Sequence, residues 1–285
     1  MLIIDAISSC QRWHVAVSLI ASMYSSGKTQ EEFTMTEREQ LGRKGEEVRR
    51  KLGLPDDIGA ELLPGMPHLV DEVIFGRIWG RPGLELENRM LATLSALTSK
   101  QYLPQVGFYV RGALNLGMKP RLIQEVMLHC AMYSGMPSAL NSLTVVNDIL
   151  SERGLPQPDE ELQEHDLDDL MKIGDETMRD LHRERADGGY AAPDSAAATL
   201  YTNAIQYLYG EIWNRPGITR RQRMICSVAA FTATQMAGQQ RKFFQSAPNV
   251  GVSREEVIEV IIQTGPYSGF PPALNALTIA EEVLG

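Results

Sequence analysis

Apolar residues recur along the chain at three- and four-residue spacing, and no stretch sustains apolar–polar alternation at period two. The pattern predicts helices over 37–51, 67–79, 86–99, 103–116, 120–133 and 138–152. Leu41 and Val48 share one face of the first, and Leu69, Val70, Val73, Ile74 and Ile78 line the second. Leu86, Met90, Leu94 and Leu97 form a single stripe on the third. Breakers stand between these runs at Gly53-Leu-Pro55, Pro64-Gly-Met-Pro67, Arg81-Pro-Gly83 and Gly135-Met-Pro137. Gly117 suits a helix C-cap, and Pro120 suits a first helical position. Further helices are predicted over 167–185 and 195–213, and Ser253 with Glu256 forms a capping box for another. The fold class is all-α.

The helical pattern occurs twice. Gly76-Arg-Ile-Trp-Gly-Arg-Pro-Gly-Leu84 returns as Gly210-Glu-Ile-Trp-Asn-Arg-Pro-Gly-Ile218, and Tyr133-Ser-Gly-Met-Pro returns as Tyr267-Ser-Gly-Phe-Pro. Arg81 and Arg215 stand 134 positions apart, as do Tyr133 and Tyr267, so no gap opens between these anchors. A period this long implies a duplicated domain rather than a short structural repeat. The prolines of Arg153-Gly-Leu-Pro-Gln-Pro158 favour an extended linker. The expected division is an N-terminal extension over 1–34, a first domain over 35–152, a linker over 153–164 and a second domain over 165–285.

Composition narrows the classes. With 285 residues, 44% of them hydrophobic and 22% charged, the chain can bury two cores. A net charge of −9 argues against nucleic acid as a partner. Trp13 to Met23 is apolar but too short to span a bilayer. Asp5 and the single basic Arg12 make a poor signal-peptide start, so a short amphipathic extension, or an over-long start ahead of Met35, is expected instead. Three cysteines without a CxxC give no disulfide framework and favour a reducing, cytoplasmic location.

Candidate chemistry gathers on the 120–133 helix. Glu125 and His129 are four apart and Tyr133 four further, so they share a face. A carboxylate that orients a histidine can make it a general acid or base. The second copy carries Glu259, Gln263 and Tyr267 at these places, and Gln263 cannot titrate. Arg89 and Arg223 are equivalent, and either binds a substrate carboxylate or pairs with Glu125 or Glu259 on a neighbouring helix. Arg111 faces no basic counterpart, because Gln245 stands there. Ser134-Gly135 and Ser268-Gly269 form a turn that either exposes backbone N–H groups to an anion or merely reverses the chain. The HExxH, GxSxG, GxxxxGK[ST] and GxGxxG patterns are absent, and no two histidines stand at metal-ligand spacing.

Glu211-Ile-Trp-Asn-Arg-Pro-Gly217, Val110-Arg-Gly-Ala-Leu-Asn-Leu-Gly117 and Glu125-Val-Met-Leu-His-Cys-Ala-Met-Tyr-Ser-Gly135 resemble the carboxymuconolactone decarboxylase family. The match is to its γ-carboxymuconolactone decarboxylase branch, where W-x-RPGL, RGALNNG and EVLLHxAxYAGxP recur. The resemblance covers about 36–152 and again about 165–284. It implies an all-helical unit that shares a core with a second unit, and a homo-oligomer in which three tandem chains mimic a hexamer of single-domain members. The redox branch carries CxxC and a following histidine. Tyr102, Gln105 and Tyr109 stand there in one copy and Met236, Gln239 and Phe243 in the other, so disulfide-exchange chemistry has no thiols. Tyr109 also replaces a histidine common in the decarboxylase branch.

The resemblance therefore implies a lyase without cofactor or metal that acts on a small carboxylate, with no membrane partner. Arg89 would grip the carboxylate, with Arg111, Ser134, Arg223, Gln263 and Tyr267 as further substrate contacts. His129, oriented by Glu125, or Tyr109 would protonate carbon, with Tyr133 beside them. The expected site lies in the first copy, with the second completing the pocket wall. The alternatives are an isomerase, dehydratase or cyclase, and a non-catalytic small-molecule-binding protein.

Overall fold

The computed structural model describes residues 35–156, 164–189 and 195–285. The expectations for 1–34, for most of the linker and for part of the 188–193 loop fall outside these residues. The first copy contains α1 (Met35–Lys51), α2 (Met66–Leu69) running into a π-helical stretch (Val70–Trp79), and α3 (Leu86–Lys100). It continues with α4 (Leu103–Asn115), α5 (Pro120–Ser134) and α6 (Met136–Glu152). The second copy repeats the order: α7 (Leu167–His182), α8 (Ala198–Asn203) with its π stretch (Ala204–Glu211), and α9 (Arg220–Thr234). It ends with α10 (Ala237–Ser246), α11 (Arg254–Ser268) and α12 (Phe270–Leu284). Among the described residues there is no strand, and no helix is long and apolar enough to cross a membrane.

The π turns are the main departure from the sequence pattern, which registers apolar spacing but not the width of a turn. They begin at Val70 and Ala204, 134 positions apart. Each lies against the first helix of its copy at backbone contact. A Cβ on Gly45 would stand 2.0 Å from the Asp71 carbonyl oxygen, and one on Gly174 2.0 Å from that of Ile205. Only glycine permits this crossing. The helix predicted over 167–185 instead ends at His182, and Arg183 takes a left-handed φ of 54°. The capping box of Ser253 and Glu256 forms, and Thr219 with Gln222 forms another.

The core lies between the copies. α3 is buried continuously from Asn88 to Thr98 and α9 from Arg223 to Ala233. A helix buried all round belongs at the centre. α3 and α9 pack on each other, and both touch α5 and α11. The four central helices thus come two from each copy. Buried alongside their apolar residues are Arg89, Thr93, Arg223, Ser227, Glu125, Glu259, His129 and Gln263. So many polar groups in a dry interior must answer one another.

Candidate active site

They do so in two clusters, each assembled from both copies. In the first, copy one supplies Trp79, Arg81, Arg89, Thr93 and Tyr109, and copy two supplies Glu259, Gln263 and Tyr267. In the second the contributions are exchanged: Trp213, Arg215, Arg223 and Ser227 come from copy two, and Glu125, His129 and Tyr133 from copy one. The Arg-Pro-Gly turn after each π stretch brings Arg81 or Arg215 over the other copy's glutamate.

The first cluster is closed. Both Glu259 oxygens accept from Arg81 Nε at 3.0 Å, and Arg89 Nη2 donates to Oε2 at 2.9 Å. Arg89 also donates from Nε to the Leu84 carbonyl, from Nη2 to the Arg81 carbonyl and from Nη1 to Gln263 Oε1 at 3.1 Å. Gln263 Nε2 donates to Thr93 Oγ1 at 3.1 Å. Trp79 Nε1 donates to Tyr267 Oη at 2.6 Å, Tyr267 donates to Tyr109 Oη at 2.7 Å, and Tyr109 stacks on Trp79. Burial works against ionised Glu259, but Arg81 and Arg89 outweigh it and hold the carboxyl below its usual pKa.

The second cluster is incompletely paired. Three guanidiniums meet Glu125, with Arg121 Nη2, Arg215 Nε and Arg223 Nη2 each 3.0 Å from one of its oxygens. The copy-two counterpart of Arg121 is the exposed Glu255, so this third arginine has no equivalent. His129 Nε2 lies 2.9 Å from Ser227 Oγ, which lies 3.1 Å from Tyr133 Oη, and Trp213 Nε1 donates to that oxygen at 3.2 Å. Arg223 Nε, Arg223 Nη1 and His129 Nδ1 are buried without a hydrogen-bond partner among the described residues. For Arg223 Nε the bond that Arg89 makes to the Leu84 carbonyl has no counterpart, and for Nη1 the reason is the exchange of Gln263 for His129. The imidazole reproduces the amide N–H that reaches the hydroxyl, but not the carbonyl oxygen that satisfies the arginine.

This geometry assigns the tautomer. Ser227 Oγ has one hydrogen, which serves the Arg223 carbonyl at 3.0 Å or Tyr133. Nδ1 has no acceptor, so a proton there would be buried unpaired; on Nε2 it is donated to Ser227 Oγ, and Nδ1 carries the lone pair. Burial first, then the Arg223 charge, holds the His129 pKa well below its usual value, so the ring is neutral. Burial pushes the Tyr133 phenol up, so it keeps its proton. The cluster combines fixed N–H donors, a basic nitrogen and a phenolic acid. Tyr133, Arg121 and Arg215 are only partly buried.

Several expected site residues are placed otherwise. His129, Glu125, Tyr133 and Arg223 meet, but Tyr109, Arg89, Gln263 and Tyr267 belong to the closed cluster. Glu125 is taken up by arginines, so Ser227 and not Glu125 orients His129. Each nitrogen of Arg89 has a hydrogen-bond acceptor within the chain. Arg111 pairs with Glu152 at the surface and joins neither cluster. The turn after Ser134 reverses the chain, and Pro137 within it has no N–H to offer an anion. Ser134 Oγ is buried without a partner among the described residues. Ser227, Arg215 and Arg121 escaped the sequence reading. Aligning the copies pairs Ser227 with Thr93, but nothing in one dimension shows that each faces the other copy. Cys130 and Cys226 are fully buried, and burial raises both thiols, Cys226 to about 11. Among the described residues no three His, Cys, Asp or Glu side chains gather as for a metal.

Comparison with known proteins agrees with this architecture. The carboxymuconolactone decarboxylase family model matches residues 64–148 and again 198–282. The nitrosuccinic acid decarboxylase npaB of Metarhizium robertsii is 33% identical over 100 residues, which is 34% of this chain and 69% of that protein. The 4-carboxymuconolactone decarboxylase of Acinetobacter baylyi is 25% identical over 88 residues, 31% of this chain and 66% of that protein. With the family's domain present twice and the two copies sharing one core, the chain belongs to the carboxymuconolactone decarboxylase family.

Proposed function

We propose that this protein is a decarboxylase of small acids and that the second cluster is its active site. Family membership and the decarboxylase-named relatives support the reaction class. The observation that carries the choice of site is the unpaired, buried Arg223 Nη1 and His129 Nδ1 on one side of the pseudo-symmetric core, against full pairing on the other.

The substrate is a carboxylate whose carbanion is stabilised by a conjugated carbonyl or nitro group. The C–CO₂ bond breaks and its electron pair moves to the acceptor oxygen, where Arg223 N–H groups stabilise the developing charge. The carbon then takes the Tyr133 proton. The resulting phenolate is held by Trp213 Nε1–H and by Ser227 O–H, which His129 Nε2–H polarises in turn. His129 Nδ1 accepts a hydrogen bond from the substrate or removes a proton from it. Arg121 and Arg215 attract the anion. None of these steps draws on a cofactor. The same reading carries a homo-oligomer of three tandem chains. Its support is an exposed apolar pair, Met136 and Leu140, that recurs as Phe270 and Leu274. Sedimentation gives the stoichiometry.

The direct test is CO₂ release from 4-carboxymuconolactone and from nitrosuccinate. Tyr133→Phe and Arg223→Gln are expected to lose about 100-fold or more in kcat/KM, and Tyr109→Phe far less. Absence of CO₂ with both compounds removes these substrates. Double-bond migration without CO₂ favours an isomerase, and binding without conversion favours a non-catalytic protein.

A further inference from the structure

A second histidine lies buried beside the active cluster, and the mechanism above leaves it idle. His182 closes α7 and is fully buried. Its Nε2 lies 3.1 Å from Tyr209 Oη and its Nδ1 2.7 Å from Ser246 Oγ. Ser246 also accepts from Arg185 Nη2 at 3.0 Å and reaches the Lys242 carbonyl at 2.9 Å. Phe243 joins this group to the site, with ring centroids 5.0 Å from His182 and 6.2 Å from Tyr133.

The first copy has no such group. Phe75 stands for Tyr209, Gly112 for Ser246 and Phe108 for Lys242, while Tyr109 stands for Phe243. The polar chain therefore accompanies the incompletely paired cluster alone.

Both tautomers of His182 are satisfied in this setting. With the proton on Nδ1, the ring donates to Ser246 and accepts from Tyr209. With it on Nε2, Ser246 rotates to donate to Nδ1, and Tyr209 accepts and turns its own hydrogen inward. In passing from the second state to the first, the ring takes up a proton at Nδ1 from Ser246 as Nε2 releases one to Tyr209; the two hydroxyls then rotate and the ring recovers its starting tautomer before the next transfer. Burial first, then Lys242 and Arg185, lowers the His182 pKa to about 3, so the ring rests neutral and holds no proton back.

Decarboxylation exchanges CO₂ for hydrogen and so consumes one proton per turnover, which a buried site must draw from outside. Resting on the acid–base reading above, we infer that Ser246, His182 and Tyr209 form a proton shuttle from the surface beside Ser246 to Tyr133. No direct hydrogen bond joins Tyr209 to Tyr133, and a substrate oxygen or a water between the two phenols completes the path.

Two readouts test this. The first is exchange of the His129 ring N–H with solvent, followed by NMR on isotope-labelled histidine and assigned with His129→Gln. It needs no substrate. Tyr209→Phe, which installs the side chain that the first copy tolerates, is expected to slow this exchange about 100-fold, as is His182→Gln, with added imidazole restoring the His182 variant. Exchange at the wild-type rate in a folded Tyr209→Phe protein overturns the shuttle, as does equal slowing in the surface variant Arg111→Ala. The second readout is turnover of 4-carboxymuconolactone. If it is unchanged by Tyr209→Phe, the shuttle is overturned. If exchange slows but neither wild type nor variant releases CO₂, the shuttle stands and the decarboxylase reading fails.

Discussion

His129 and Gln263 occupy equivalent positions and produce opposite outcomes. Gln263 both accepts from Arg89 and donates to Thr93, whereas His129 can only donate to Ser227, which leaves Arg223 with spare donors. Gln263→His is therefore expected to free Arg89 Nη1 and to cost roughly 1–3 kcal/mol of stability, the penalty of an unpaired buried donor. Equilibrium denaturation checks this. Glu125→Gln goes further, because it leaves three guanidiniums without their shared counter-charge. A loss of roughly 3–5 kcal/mol is expected. Proton linkage adds a pH dependence. His129 and His182 have pKa values below those of the unfolded chain, so in acid the unfolded state binds more protons. Their contribution is complete above about pH 6.5 and is lost as pH falls below it, at about 1.4 kcal/mol per pH unit for each ring. His129→Gln should make the loss below about pH 6.5 shallower, as denaturation at a series of pH values would show.

At the scale of elements, the helix hairpins depend on missing side chains. A Cβ on Gly174 would clash with the Ile205 carbonyl at 2.0 Å, and one on Gly210 with that of Leu170 at 2.3 Å. Backbone cannot rotate aside as a side chain can. Gly174→Ala is thus expected to separate α7 from the π stretch and to destabilise by roughly 1–3 kcal/mol or more. Because His182 ends α7 and Trp213 follows the π stretch, the same variant should disturb the active cluster. A Gly174→Ala protein with wild-type melting would show that the hairpin relaxes freely.

For the whole molecule, the decisive fact is the exchange of groups between copies. α3 and α9 are buried all round because each is the other's core, and each charged cluster draws its counter-charge from the other copy. A chain ending at residue 156, or one beginning at 164, would expose that core together with unpaired arginines or glutamates. Neither is expected to melt cooperatively as a monomer, and mixing the two should restore both clusters, as near-ultraviolet dichroism and gel filtration would show. A stable, cooperatively folding single copy would contradict the shared core.

Helix positions, the breaks at Arg-Pro-Gly and the 134-residue repeat were legible in sequence because they rest on local chemistry: apolar period, turn residues and caps. The exchange of Gln263 for His129 was legible too, since it appears on aligning the copies. Sequence could not show which histidine, arginine and hydroxyl would meet. Glu125 and His129 are neighbours on one helix face, yet burial against copy two commits the carboxylate to three arginines and the imidazole to Ser227. Residues some ninety positions apart, Glu125 and Arg215 or His129 and Ser227, became partners only when α3, α5, α9 and α11 packed together. Local chemistry along the chain was enough for two like scaffolds. The tertiary structure decided that they trade their polar groups across a shared core, because a buried charge must find its counter-charge wherever the packing puts it.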